Sequence, residues 1–293
     1  MMQSSGTCLA QQNLAKNPNL FMTISKLLLM TILQVSVLLD GLLEAHAQVN
    51  VEQSRGQAHE GFNLSVDGSL TLIRGNVSLS QTGLGTKFNY VKGIHNPFVQ
   101  AMINYGEKND KAFLNQSYVH ARWTAMWFKS WGTELFAQAQ ENSFRSLILR
   151  QLYGGGVRVE LLDNIEQSLA LGVGAMYERE VYQEQDVNDL SSDNASLVSL
   201  SQVTENNLRL TNYFSVKRDL KWATLIQTVF TLYYQPRVDE FKDYRVLADL
   251  GIEIKLSESL RIVESLSVMY DSEPPEDVQN TDLKSMSSLR LVF

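Results

Sequence analysis

Few residues in this chain could carry catalysis, and their spacing assembles no reaction. Beyond residue 47 the histidines are His59, His95 and His120. A lipid hydrolase or acylase would set a histidine beside a serine or threonine nucleophile, with an acid or amide orienting the ring. His59 lies in a polar lead-in and His95 in a tight reversal. His120 sits two residues before Arg122, on the face that a strand would turn inward. A lipid-cleaving site should instead face the membrane near its outer edge. The paired aspartates or Asp-His group of a barrel protease are missing as well. No two histidines fall at i and i+2, so no strand face offers a zinc pair. Asp186, Asp189 and Asp193 lack the oxygen-ligand spacing of a calcium loop and read as a solvated acidic stretch. The expectation is no enzyme, no metal and no cofactor.

What remains is charge at alternate positions. Asp67, Lys87, His120, Arg122, Glu134, Arg158, Glu160, Arg209, Arg245, Asp249, Glu253, Lys255, Arg261, Lys284 and Arg290 all fall on the polar face of a period-two pattern. Both signs are present. Such a face could line a polar pore whose charge rings select ions or small solutes. It could equally plug a closed interior, each charge paired with another across the lumen.

The elements that must position these charges are strands. Phe62, Leu64, Val66, Leu70 and Leu72 alternate with Asn63, Ser65, Asp67, Ser69 and Thr71. Leu169, Leu171, Val173, Ala175 and Tyr177 alternate with Ser168, Ala170, Gly172, Gly174 and Met176, an aliphatic face opposite an almost wholly small one. Val246 to Leu256 alternates without a fault against Arg245 to Lys255. Repeated along the chain, with a ninth strand over Trp222 to Tyr234, the pattern predicts about twelve strands between Phe62 and Phe293. Val77 and Leu79 have the wrong parity for their strand, so a bulge or an apolar interior is expected near Gln81 to Gly83. Glu264 falls on the apolar face of the eleventh strand. Either that strand bulges, or Glu264 sits low, or the parity there is misread.

Tight reversals at Gly93–Asn96, Lys129–Gly132, Leu162–Asn164, Arg218–Leu220 and Ser257–Ser259 alternate with longer connections. The longest are a Ser/Asp-rich loop over Glu184 to Gln202 and the stretch Ser272 to Thr281. Short turns on one side and longer loops on the other suit an outer-membrane barrel. A Greek-key sandwich has no reason to alternate in this way. Tyr90, Tyr105, Trp127, Trp131, Tyr177, Trp222, Tyr234, Tyr270 and Phe293 gather near strand ends, where aromatic girdles meet the two membrane interfaces.

The start of the chain reads as a leader. Met22 to Lys26 is short and basic, Leu27 to Leu39 is apolar, and Ala45-His46-Ala47 is a small-residue cleavage site. The apolar run is shorter than the roughly 20 residues of a spanning helix. Translation is expected from Met22 and cleavage after Ala47. Residues 48–60 then form a flexible periplasmic lead-in, and residues 61–293 form the barrel. Removing Lys16 and Lys26 together with Asp40 and Glu44 leaves the net charge at −7, which argues against a nucleic-acid partner. The single cysteine, Cys8, is lost with the leader, so no disulfide follows.

The final stretch alternates Leu283, Ser285, Ser287, Leu289, Leu291 and Phe293 against Lys284, Met286, Ser288 and Arg290. A last strand closing on an aromatic carboxylate is read as a signal to the β-barrel assembly machinery, carried by Phe293. The chain resembles the YdiY-type salt-induced outer-membrane proteins, a bacterial domain of unknown function. The resemblance runs from about Phe62 to Phe293. It rests on Ser69–Ser78 with its Arg74-Gly75-Asn76 reversal, on Tyr153-Gly-Gly-Gly-Val157, and above all on Tyr270–Asp282 feeding the final strand. Asp186 to Ser201 departs from it. The resemblance implies an outer-membrane location but no activity. The expectation is a single transmembrane antiparallel β-barrel, all-β, with both termini periplasmic. It would contact outer-membrane lipid and lipopolysaccharide and act in envelope structure or in the response to salt or osmotic stress. An outer-membrane barrel enzyme and a secreted soluble β-sheet protein are the alternatives.

Overall fold

The computed structural model describes residues 52, 60–73, 79–108, 111–142, 147–164, 166–187, 198–220, 226–274 and 280–293. Its elements are all strands. The first six are β1 (Gly61–Ile73), β2 (Leu79–Val91), β3 (His95–Lys108), β4 (Lys111–Ala125), β5 (Trp131–Asn142) and β6 (Leu147–Asp163). The second six are β7 (Gln167–Val187), β8 (Val198–Asp219), β9 (Ile226–Pro236), β10 (Tyr244–Lys255), β11 (Leu260–Asp271) and β12 (Thr281–Val292). Each pairs antiparallel with its neighbours in sequence, and β1 closes on β12 to complete a twelve-strand barrel. The closing register runs from Ser65↔Val292 to Ser69↔Ser288, and the Phe293 amide donates to the Leu64 carbonyl at 2.9 Å. Full closure leaves no free sheet edge. No helix among the described residues is long and apolar enough to cross a membrane. The shortest strand, β9, has 11 residues, enough for a tilted strand to cross a bilayer, which takes about 9–11.

The two faces are inverted relative to a soluble protein. Leu64, Leu84, Val99, Ile103, Val119, Leu135, Val157, Val173, Leu208, Leu250 and Leu289 point outward and are exposed, whereas the interior is mostly polar and charged, with apolar clusters around Tyr233 and Leu152. Aromatic rings flank this apolar belt at both rims. Near the chain ends, Phe62 stacks on Tyr90 at 4.5 Å and Phe128 on Trp131 at 4.9 Å. At the opposite rim Tyr234, Tyr244 and Tyr270 follow one another at 5.7 and 5.8 Å. An exposed apolar band between two aromatic girdles is what a lipid environment selects.

Local chemistry explains the turns at the chain-end rim. Gly93 adopts φ +57°, a left-handed conformation that a side chain would strain. Asn164 Oδ1 accepts from the amides of Glu166 and Gln167, and Ser257 Oγ accepts from those of Ser259 and Leu260.

Several sequence expectations are corrected. No bulge occurs at Gln81 to Gly83, because the pairings of β2 with β1 and β3 run through without a shift; the side chains of Val77 and Leu79 lie outside the described residues. Glu184 to Gln202 is not one loop. β7 and β8 continue as a ladder to Val187↔Val198, since backbone pairing tolerates the serine- and aspartate-rich sequence. Asp189 and Asp193 lie outside the described residues, as do His59, Trp222 and the Arg74-Gly75-Asn76 reversal. His95 opens β3 instead of sitting in the turn, and its ring lies 5.7 Å from Trp123. The reversal expected at Lys129–Gly132 falls at residues 126–130, between β4 and β5, with Trp131 and Gly132 already in β5. The alternation of loop lengths is weaker than expected, because β3 and β4 are joined by only residues 109–110. β11 has no bulge and its parity holds. Glu264 faces outward, where it accepts a hydrogen bond from Ser287 Oγ at 2.6 Å.

Candidate functional site

Inward-facing polar side chains line the lumen, and among the described residues three ion-pair networks occupy it. The largest lies toward the rim opposite the chain ends. Glu178 on β7 is fully buried, and it accepts from Arg150 Nε at 2.8 Å, Arg209 Nε at 2.9 Å and Arg245 Nη1 at 2.8 Å. A second bond from Arg150 Nη2 also reaches Glu178. Glu180 takes Arg150 and Arg245 at 3.2 Å each. Asp271 accepts from Arg245 Nε at 2.8 Å, and Asp243 from Arg209 Nη1 at 2.8 Å and Arg237 Nη1 at 2.9 Å. Four arginines thus face four carboxylates. Arg237, outside the strands, is held above its ordinary pKa. Desolvation opposes this, but the Asp239 hydrogen bond and the charges of Asp239, Asp243 and Glu240 together outweigh it.

The second network sits nearer the chain-end rim. Arg122 Nη1 donates to Glu134 Oε2 at 3.3 Å, and Thr124 Oγ1 to Glu134 Oε1 at 3.2 Å. Arg158 donates through Nε to Glu160 at 3.1 Å and through Nη1 to the Tyr213 hydroxyl at 2.8 Å. The Tyr213 hydroxyl donates in turn to Glu134 Oε2 at 2.8 Å, joining β8 to β5 across the lumen. Small residues make this possible. A Cβ added at Gly172 would run into the Tyr213 ring, and one at Gly154 into the Phe136 ring. The small face of β7 is therefore the space into which a lumenal ring packs. Glu52, upstream of β1, is buried here too: its carboxylate lies 2.9 Å from Arg158 Nη1 and 3.6 Å from Arg122 Nη1.

The third network joins the seam strands to β10 and β11. Arg290 Nε donates to Asp67 at 2.6 Å and Nη1 to Glu253 at 2.8 Å, while Arg261 Nη1 reaches the other Glu253 oxygen. Lys87 lies 5.8 Å over the Phe98 ring. His120 is fully buried between Phe98 and Phe136, with Nδ1 3.0 Å from Gln138 Oε1. Asp249 accepts from Ser267 Oγ. Lys255 sits at the rim, 3.5 Å from Glu258. Lys284 is half-buried on β12. No cluster of three or more metal-ligating groups exists among the described residues.

The structure therefore brings Arg122, Glu134, Arg158 and Glu160 into one network, Asp67, Glu253, Arg261 and Arg290 into another, and Arg209 and Arg245 into the largest. Lys87 lies within electrostatic reach of Asp67, Glu253 and Arg290, and Lys255 pairs with Glu258 at the rim. Sequence reasoning missed Arg150, Glu178, Glu180, Asp243, Asp271 and Glu52. For the first three a signal existed. Arg150 continues the parity of Leu152 and Gly154, and Glu178 and Glu180 continue that of Gly172 to Met176.

Solved structures similar to this chain include the KdgM porin, at 11% identity and TM-score 0.46, covering 78% of this chain and 99% of that one. The NanC porin is 13% identical, with TM-score 0.43 over 78% of this chain and 97% of its own. The translocator domain of the autotransporter NalP from Neisseria meningitidis is 9% identical, with TM-score 0.48 over 93% and 97%. At such identity the likeness bears on nothing beyond architecture. No curated protein matches the chain. The family described as "Protein of unknown function, DUF481" matches residues 66–293, nearly the whole barrel. With β2 to β12 and most of β1 inside that match, and the closing pair Asp67↔Arg290 near its two ends, the chain belongs to the DUF481 family.

Proposed function

We propose that this protein is an outer-membrane β-barrel acting as a closed, internally braced element of the bacterial envelope under salt or osmotic stress. One observation carries the reading: the described inward arginines are held with carboxylates in paired networks that span the lumen, while the outward face is an exposed apolar belt. A soluble secreted β-protein would not leave that belt bare, because contiguous exposed apolar surface on soluble monomers rarely exceeds a few hundred Å². Twelve strands lie between the small filled barrels of about 8 strands and the open porins of 16–18. Outer-membrane lipid and lipopolysaccharide would contact the belt, and the assembly machinery would read the last strand with Phe293. The stress role draws on the resemblance to salt-induced relatives. No reaction is proposed; among the described residues, buried His120 packs between Phe98 and Phe136 with Gln138 at its Nδ1.

A narrow pore is the second reading. It is favoured by Asp67, Glu253 and Arg290, whose side chains keep 15 to 17% exposure on the inward face and so stay partly hydrated. Location is tested by fractionation. The protein should partition with outer membranes and change its gel migration on heating in detergent, and recovery from the soluble periplasm would contradict the reading.

A further inference from the structure

Glu52 belongs to no strand and precedes β1, yet its carboxylate is buried inside the barrel against two arginines from strands that are not neighbours. Arg122 comes from β4 and Arg158 from β6. Each guanidinium meets a different Glu52 oxygen, Oε1 for Arg122 at 3.6 Å and Oε2 for Arg158 at 2.9 Å. Both arginines are also held by groups other than Glu52. Arg122 lies 5.2 Å over the Phe136 ring and is tied to Glu134, whereas Arg158 lies 5.8 Å over Tyr213 and is tied to Glu160 and the Tyr213 hydroxyl. These anchors make the pair a preorganised fork for one carboxylate. We propose that Arg122 and Arg158 form a lumenal binding site for a small carboxylate solute, which Glu52 fills in this structure as an intramolecular stand-in.

Two further observations shape the site. Arg122 Nε is buried with no hydrogen-bond partner among the described residues, so Glu52 leaves one donor for a larger acid to use. Glu134 and Glu160 already balance the two arginines, and Glu52 is a third carboxylate. Directed N–H donors therefore do the recognising, not net charge, and a free carboxylate should bind weakly. A chain-tethered group competes at an effective concentration on the order of millimolar. A solute must match that concentration while Glu52 is present.

Propionate reproduces the Glu52 side chain beyond Cα and is the probe. The experiment follows propionate binding by saturation-transfer NMR to the full-length folded barrel in detergent. Wild type, E52A, E52Q and E52A/R158Q are compared, each first checked for heat-modifiable migration. E52A and E52Q should bind propionate at least tenfold more tightly than wild type, and E52A/R158Q should lose that gain. Propionamide, of the same shape without the charge, should not bind. Equal binding by wild type and both Glu52 variants overturns the proposal. So does binding that survives the loss of Arg158, or folded E52A and E52Q that take up no propionate. None of these outcomes depends on where in the cell the barrel resides or on whether it conducts.

Discussion

Replacing Glu178 with alanine should destabilise the folded barrel more than removing any other single charge in the lumen. Glu178 is fully buried and accepts from Arg150, Arg209 and Arg245 at once. Without it, three buried arginines and the partly exposed Arg237 face three carboxylates. Removing one partner of a buried ion pair typically costs about 3–5 kcal/mol, because the remaining charge loses both solvent and partner. Here the surplus is shared. Arg150 keeps Glu180, Arg209 keeps Asp243, and Arg245 keeps Glu180 and Asp271, so the loss should fall inside that range and not multiply by three. Urea unfolding from lipid vesicles measures it. Replacing Arg150 and Glu178 together by leucine should recover part of the loss, since no unpaired charge then remains. A loss below about 1 kcal/mol for E178A would mean that water reaches the site and that the network does not brace the lumen.

Gly172→Val should be the most damaging of the apolar changes. Its Cβ would occupy the position of the Tyr213 ring, and that ring has little room to retreat. Tyr233 packs 5.4 Å away, and the hydroxyl is fixed between Arg158 and Glu134 at 2.8 Å each. Overpacking of this kind costs about 1–3 kcal/mol. Displacing the hydroxyl adds a further cost of about 1–3 kcal/mol for each buried charged group left without its hydrogen bond. Gly68→Ala is the control, because a Cβ there meets nothing within 4 Å. It should stay within about 0.5 kcal/mol of wild type. Equal midpoints for the two variants in the same urea titration would show that Tyr213 repacks freely.

Much of this architecture was legible from period-two alternation. Inside a wide barrel the inward residue need only be polar, and the outward one apolar, so each strand reports its faces residue by residue. Legibility failed where the outward member was itself polar. After Tyr177 the outward position is Arg179, so the alternation fades and Glu178 and Glu180 resemble the start of a loop. The long β7–β8 ladder was hidden for the same reason, because backbone pairing there carries on without an apolar stripe. Partner choice across the lumen was not legible at all. Glu134 and Tyr213 are 79 residues apart and Arg158 and Glu52 are 106, and which side chains meet depends on barrel width and stagger, which no local pattern encodes. The extra tolerance of β11 for outward Glu264 was equally hidden, since it rests on Ser287 of the neighbouring strand.

The claim that the lumen is braced shut is tested most directly by single-channel recording of purified, folded protein in a planar bilayer. Arg122 and Arg245 lie in two different networks and each is nearly excluded from water, at 3% and 7% exposure. A wall element of this kind should give no resolved conductance steps at wild-type sequence, and Arg122→Glu or Arg245→Glu should lower stability without creating an ion-selective path. Clean steps from the wild-type protein, with a reversal potential that moves when either arginine is reversed in charge, would contradict it and establish a pore lined by those groups.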